Sequence, residues 1–154
     1  MTKSVLLLAG LPGCGKTTHL RELQKNGWLV FDDFKANAVN DSPEFHKSRN
    51  FATLLARLRA GIRCAVADID FCRNESRAEA ENILRAEVPG VEISWCYFSH
   101  DERACEANIR HRKRDSLDAD LRELRKYSKL YSIPKGVEVR SVVSGNAFQD
   151  GGGA

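Results

Sequence analysis

Residues 10–17 read Gly-Leu-Pro-Gly-Cys-Gly-Lys-Thr, which fits G-x-x-x-x-G-K-[ST] without deviation. The chemistry of that spacing is phosphate capture. Glycines let the backbone fold so tightly that successive N–H groups converge on one concavity, and the positive end of a following helix strengthens its field. Gly10, Gly13, Cys14 and Gly15 would form the cradle. Lys16 would reach the β- and γ-phosphates, the Thr17 hydroxyl would ligate Mg²⁺, and Thr18 would belong to the same site. ATP and Mg²⁺ are the expected cofactors. A chance match in a chain of this length is on the order of half a percent at average residue usage. Cys14 lies inside the loop, where a helix N-terminus would lower its pKa. It reads either as a redox-sensing thiol or, more plainly, as a small residue filling the loop.

Three further groups could serve phosphoryl transfer. Val30-Phe-Asp32-Asp33-Phe34-Lys35 places acidic residues where a strand ends, the edge at which open α/β sheets bind ligands. Asp32 there could accept a proton from, or orient, an acceptor hydroxyl. The alternative is a capping or solvated pair. Cys64-Ala-Val-Ala-Asp68-Ile-Asp70 ends another apolar strand in carboxylates. Asp68 would hold Mg²⁺ or its waters, or else bind the acceptor, and Asp70 is a second candidate. Asn108-Ile-Arg110-His111-Arg112-Lys113-Arg114 is a basic stretch of expected helix. Arg110 and Arg114 would share a face while Arg112 points elsewhere. Arginines on a lid could cover the equatorial oxygens of a transferred phosphoryl group. The plainer reading is a solvated face, supported by Glu102, Glu106 and Asp115 nearby.

These residues need elements to carry them. Residues 3–9 are a short apolar run meeting Gly10, the pattern of a fully buried strand in a parallel sheet. From Lys16 the pattern is helical, with Leu20 and Leu23, up to a stop at Asn26-Gly27. A second strand is expected over 28–31. Asp41-Ser42-Pro43-Glu44 reads as a helix start, Phe51, Leu54, Leu55 and Leu58 as its buried face, and Gly61 as its end. Next come a third strand over 64–69 and a helix capped by Asn74 that carries Ile83 and Leu84. After a break at Pro89-Gly90, a fourth strand is expected over 91–98. Helical stretches at about 101–114 and 117–131, terminated by Pro134, precede a last strand over 137–143.

This alternation predicts an α/β fold, a three-layer P-loop NTPase of the nucleotide-kinase-like type, with a five-stranded, mainly parallel sheet and a helical lid. One P-loop kinase domain would occupy residues 1–143, and residues 144–154 would form a flexible tail.

The 154 residues hold 24 Lys plus Arg against 21 Asp plus Glu, a net charge of +3. That is too mild a bias to indicate a dedicated duplex binder. Apolar runs such as 5–8 are strand-sized, so neither a membrane span nor a secretory signal is expected. Cys14, Cys64, Cys72, Cys96 and Cys105 form no C-x-x-C pair. An odd count without metal spacing reads as reduced thiols in a cytoplasmic protein. A small GTPase should carry Asn-Lys-x-Asp, a ring-forming ATPase needs more chain, and a transporter ATPase should carry a Leu-Ser-Gly-Gly signature. None of these fits. What remains is a short P-loop kinase that moves the γ-phosphoryl to a small acceptor, with no obligate protein partner expected.

Taken in order, the P-loop, the Asp-Asp after the second strand, the Asp after the third, the basic lid and the Tyr127-Ser-Lys-Leu-Tyr131 helix end resemble the polynucleotide 5′-hydroxyl kinase and zeta-toxin-like branch of P-loop kinases. The resemblance covers nearly the whole chain. It implies that Asp32 is the general base, that Asp68 matches the acceptor-side Asp, and that Arg112 is the lid arginine. Where that branch has an Arg contacting the acceptor-side phosphate, this chain has Lys35, which keeps the charge but loses the bidentate fork. The acceptor therefore stays open between a single-stranded nucleic-acid 5′ end and a small metabolite such as a nucleoside, nucleotide sugar or sugar acid. A non-catalytic nucleotide-binding regulator is the third reading. No phosphatase segment accompanies the kinase residues, so a two-activity end-healing enzyme is not expected.

Overall fold

The computed structural model describes residues 2–32, 34 and 46–144, with backbone only for 46–50. The helix start expected at 41–44, as well as Asp33, Lys35 and the 145–154 tail, lies outside the described residues. Among these residues the chain runs β1 (Ser4–Ala9), α1 (Lys16–Lys25), β2 (Leu29–Phe31), α2 (His46–Arg59), β3 (Cys64–Ala67), a 3-10 turn (Ile69–Cys72) and α3 (Asn74–Glu87). It continues through β4 (Glu92–Phe98), α4 (Glu102–His111), α5 (Leu117–Leu130) and β5 (Val139–Arg140). The strands form one parallel sheet in the order β2-β3-β1-β4-β5. With its helices this is the three-layer α/β P-loop fold. No described helix is long and apolar enough to cross a membrane.

Burial explains the order. In β1, Val5, Leu7, Leu8 and Ala9 are buried, and in β3 every residue from Cys64 to Ala67 is. A strand covered on both faces has no polar side to alternate with, so its sequence reads as a continuous apolar run. These two strands pair at the sheet centre. The register aligns Leu8 with both Ala67 and Cys96, and Phe31 with Val66. Asp32, Asp68 and Gly10 therefore all leave the sheet at the same carboxyl edge, within two residues of one row. Open α/β sheets bind ligands in the crevice beyond that edge.

Four expected boundaries are corrected. β3 stops at Ala67 rather than Ile69, because the Asp68 carboxylate accepts the Asp70 N–H at 2.9 Å and turns the chain into the 3-10 segment. Asn74 does not cap α3, because its carboxamide oxygen is taken by Arg77 and Ser132 instead. α4 ends at His111 because Lys113 takes a left-handed φ of 52° and the chain reverses so that α5 can pack on α4. The last strand is only Val139–Arg140. Beyond it, main-chain groups are claimed by the P-loop, with the Val143 N–H bonded to the Cys14 carbonyl at 3.1 Å.

Candidate active site

The P-loop bends where the sequence places its glycines, and at Gly13 and Gly15 both a positive φ and the close packing exclude a Cβ. Gly13 has φ 84°, and a Cβ there would stand 2.7 Å from the Cys105 carbonyl oxygen. Gly15 has φ 108° as the N-cap of α1, and its Cβ would stand 2.6 Å from Val143 Cγ2. Positive φ is costly for residues with a Cβ. The loop is thus pinned between α4 on one side and the segment after β5 on the other. Asn108 completes the pin. It is buried, and its Nδ2 donates to the Gly13 carbonyl at 2.8 Å and to the Val143 carbonyl.

Replacing Asn108 should therefore loosen the loop measurably. Asn108→Ala leaves a buried and a part-buried carbonyl without their donor, a loss of about 1–3 kcal/mol. For a chain of this size that means a melting temperature lower by several degrees. Asn108→Asp should be worse, because a carboxylate offers those carbonyls only acceptors. A thermal melt of Asp no lower than that of Ala would overturn the bond assignment.

A cleft of about 290 Å³ opens above the loop. Gly13 through Thr18 form its floor, and Asp32 and Asp68 reach it from the ends of β2 and β3. Lys16 Nζ lies across the loop mouth, donating to the Gly10 carbonyl at 2.5 Å and the Leu11 carbonyl at 3.0 Å. Asp68 is held by two main-chain donors, Phe34 N–H at 3.0 Å on one oxygen and Asp70 N–H on the other. Burial nevertheless outweighs these bonds and pushes its carboxyl above the usual range. Arg112 and Arg114, on the reversal between α4 and α5, line the opposite wall. Burial first, then the neighbouring Arg114 charge, draw the Arg112 guanidinium below its ordinary value.

Two candidates stand elsewhere. Arg110 is on α4 proper, pairs with Glu106 at 2.9 Å and does not line the cleft. The expectation that Arg110 and Arg114 share a face while Arg112 points away is reversed, because the helix ends before Arg112. Asp70 does not line the cleft either; its Oδ1 accepts the Tyr127 hydroxyl. Cys14 departs only from the lowered pKa expected beside a helix N-terminus. At 1% exposure, burial pushes its thiol up, and the nearby Lys16 charge offsets this only in part. All five cysteines are free, and burial pushes Cys72 and Cys105 up to about 12. These are poor nucleophiles, as a loop-filling role requires.

The cleft also contains residues that sequence patterns did not single out. Asp120 and Glu123 line it from α5, and Asn108 supports its floor. The signal for all three was a polar residue on an apolar helical stripe. Asn108 stands with the buried Cys105 and Ile109, and Asp120 and Glu123 continue the stripe of Leu124 and Tyr127. Such a stripe is normally all core.

A family model described as an AAA domain matches residues 5–134, from β1 to just beyond α5. That family is P-loop kinase-like. No curated protein matches the chain.

Proposed function

The chain belongs to this AAA-domain family of P-loop proteins, and on that premise we propose that it transfers the γ-phosphoryl of ATP to an acceptor hydroxyl. The observation that carries the reading is the meeting of Lys16, Asp32 and Arg112 in one cleft, from three separate parts of the chain. A phosphate in the cradle would replace the neutral carbonyls on Lys16 Nζ with charged oxygens, a stronger pairing. Arg112 and Arg114 face the cleft from the other side, where charge on the equatorial oxygens needs cover. The acceptor hydroxyl attacks phosphorus as the bond to the ADP oxygen breaks, and Asp32 takes the hydroxyl proton. Among the oxygen donors that line the cleft, Thr17 and Asp68 would hold Mg²⁺, which takes one or two protein ligands and completes its shell with phosphate and water. When bound, the ion would neutralise charge on the phosphates.

For the acceptor, the resemblance to polynucleotide kinases favours a nucleic-acid 5′-hydroxyl. One observation favours a second reading, a small hydroxyl-rich metabolite. Asp120 and Glu123 add two carboxylates to the wall, groups that accept from hydroxyls and repel a phosphodiester. The test is an acceptor screen with γ-labelled ATP over 5′-hydroxyl oligonucleotides, nucleosides and sugars. Label on an oligonucleotide supports the first reading, and label confined to small molecules supports the second. Tight ATP binding with no transfer to any acceptor overturns both and leaves a nucleotide-binding regulator.

A further inference from the structure

α5 turns one stripe of residues inward. Asp120 and Glu123 line the cleft, Leu124 is fully buried, Tyr127 is 8% exposed, and Tyr131 is buried against the sheet. The Tyr131 hydroxyl shares its one proton between the carbonyls of Phe98 and Ala9, so the far end of the helix is tied to the carboxyl ends of β4 and β1. The near end carries the cleft wall about 16 Å away, at 1.5 Å per residue.

Between the two ends Arg125 pairs with Glu106 and Glu102 of α4 and Ser128 bonds His100, and one further polar contact reaches the 3-10 turn. Tyr127 donates its hydroxyl to Asp70 Oδ1 at 3.2 Å. The Asp70 N–H in turn donates to Asp68 Oδ1 at 2.9 Å, and Asp68 lines the cleft while Asp70 does not. Resting on the phosphoryl-transfer reading, we propose that Tyr127 is a positioning residue whose bond to Asp70 locks α5 to the turn that aims Asp68 into the cleft. Burial first and the Asp70 charge second push the Tyr127 phenol up, so the group remains a donor at neutral pH. Asp70 then serves as the middle link of a relay from helix to carboxylate rather than as a substrate ligand.

Tyr127→Phe keeps the ring and removes the bond. Misplacing catalytic groups by a fraction of an ångström is costly to turnover, and one hydrogen bond lost converts to about a tenfold fall. The expected pattern is kcat down about tenfold, ATP affinity within about twofold and a melting temperature lower by only about 2–4 °C. Asp70→Ala should match it, and the double variant should be no slower than either single one, since both remove the same bond. Asp70→Asn, whose amide oxygen still accepts from Tyr127, should recover most of the rate. Losses that multiply in the double variant, or a large loss in Asp70→Ala with none in Tyr127→Phe, overturn the latch. Amide exchange over Leu117–Leu130 reads it without any acceptor and should quicken equally in both single variants. Unchanged exchange also overturns the latch. Quickened exchange in a chain that transfers phosphate to no acceptor supports the latch and sinks the transfer reading instead.

Discussion

Lys16→Ala is expected to lower phosphoryl transfer by about a thousandfold, the upper end for loss of one donor to transition-state charge. The melting temperature should fall by no more than about 12 °C. The first half follows from position. Lys16 Nζ is the cation at the mouth of the P-loop, within 2.5 Å of the Gly10 carbonyl oxygen, where the outer phosphates of a nucleotide would lie. No other described cation comes from the loop itself, and Arg112 and Arg114 stand across the cleft. The second half follows from what Lys16 does for the fold. Its only hydrogen bonds among the described residues go to Gly10, Leu11 and Cys14, and net hydrogen bonds of this kind are worth about 1 kcal/mol. In a chain of this size each kcal/mol shifts the melting temperature by about 2–4 °C, so losing all three costs at most about 12 °C. Transfer rates and thermal melts of the same preparation separate the two. Near-normal transfer refutes the cradle assignment, and a collapse of the melt would make Lys16 structural.

Asp32→Asn should leave ATP affinity within about twofold while transfer to the acceptor falls at least about a hundredfold. A positioned base contributes about 10²- to 10⁴-fold, and the amide keeps the shape but loses the basic oxygen. Asp32 is exposed at the carboxyl end of β2 and lines the same cleft as Lys16 and Thr17, so its substitution disturbs no core contact. The measurement is single-turnover transfer at saturating ATP, beside ATP titration. Asp33→Asn is the control on register. If it, and not Asp32→Asn, abolishes transfer, the base is the neighbouring residue, and if neither matters the pair is a solvated turn.

The fold and the phosphate loop were legible in the chain because both are set by local chemistry. Continuous apolar runs at residues 5–9 and 64–67, each stopping at a turn or a carboxylate, are the pattern of strands covered on both faces, and these two pair at the sheet centre. Gly13 and Gly15 stand where the backbone takes positive φ, a demand that residue type alone announces. The expected placement of carboxylates at strand ends depends only on where an apolar run stops. Register then brings Asp32 and Asp68 to one edge.

What tertiary structure alone decided is which way long side chains point once the chain has turned. Arg110 and Arg112 differ by two positions in sequence. One pairs with Glu106 and the other lines the cleft, because α4 ends between them and Lys113 reverses the chain. Helical periodicity cannot reveal a helix end set by packing against a later helix. Asp68 and Asp70 look alike in sequence, yet only Asp68 lines the cleft, while the Asp70 carboxylate accepts a Tyr127 hydroxyl from a helix far along the chain. Asn108 holds the loop through partners at Gly13 and Val143. Each of these assignments depends on contacts between residues distant in sequence, and such contacts exist only when burial of the core brings the elements together.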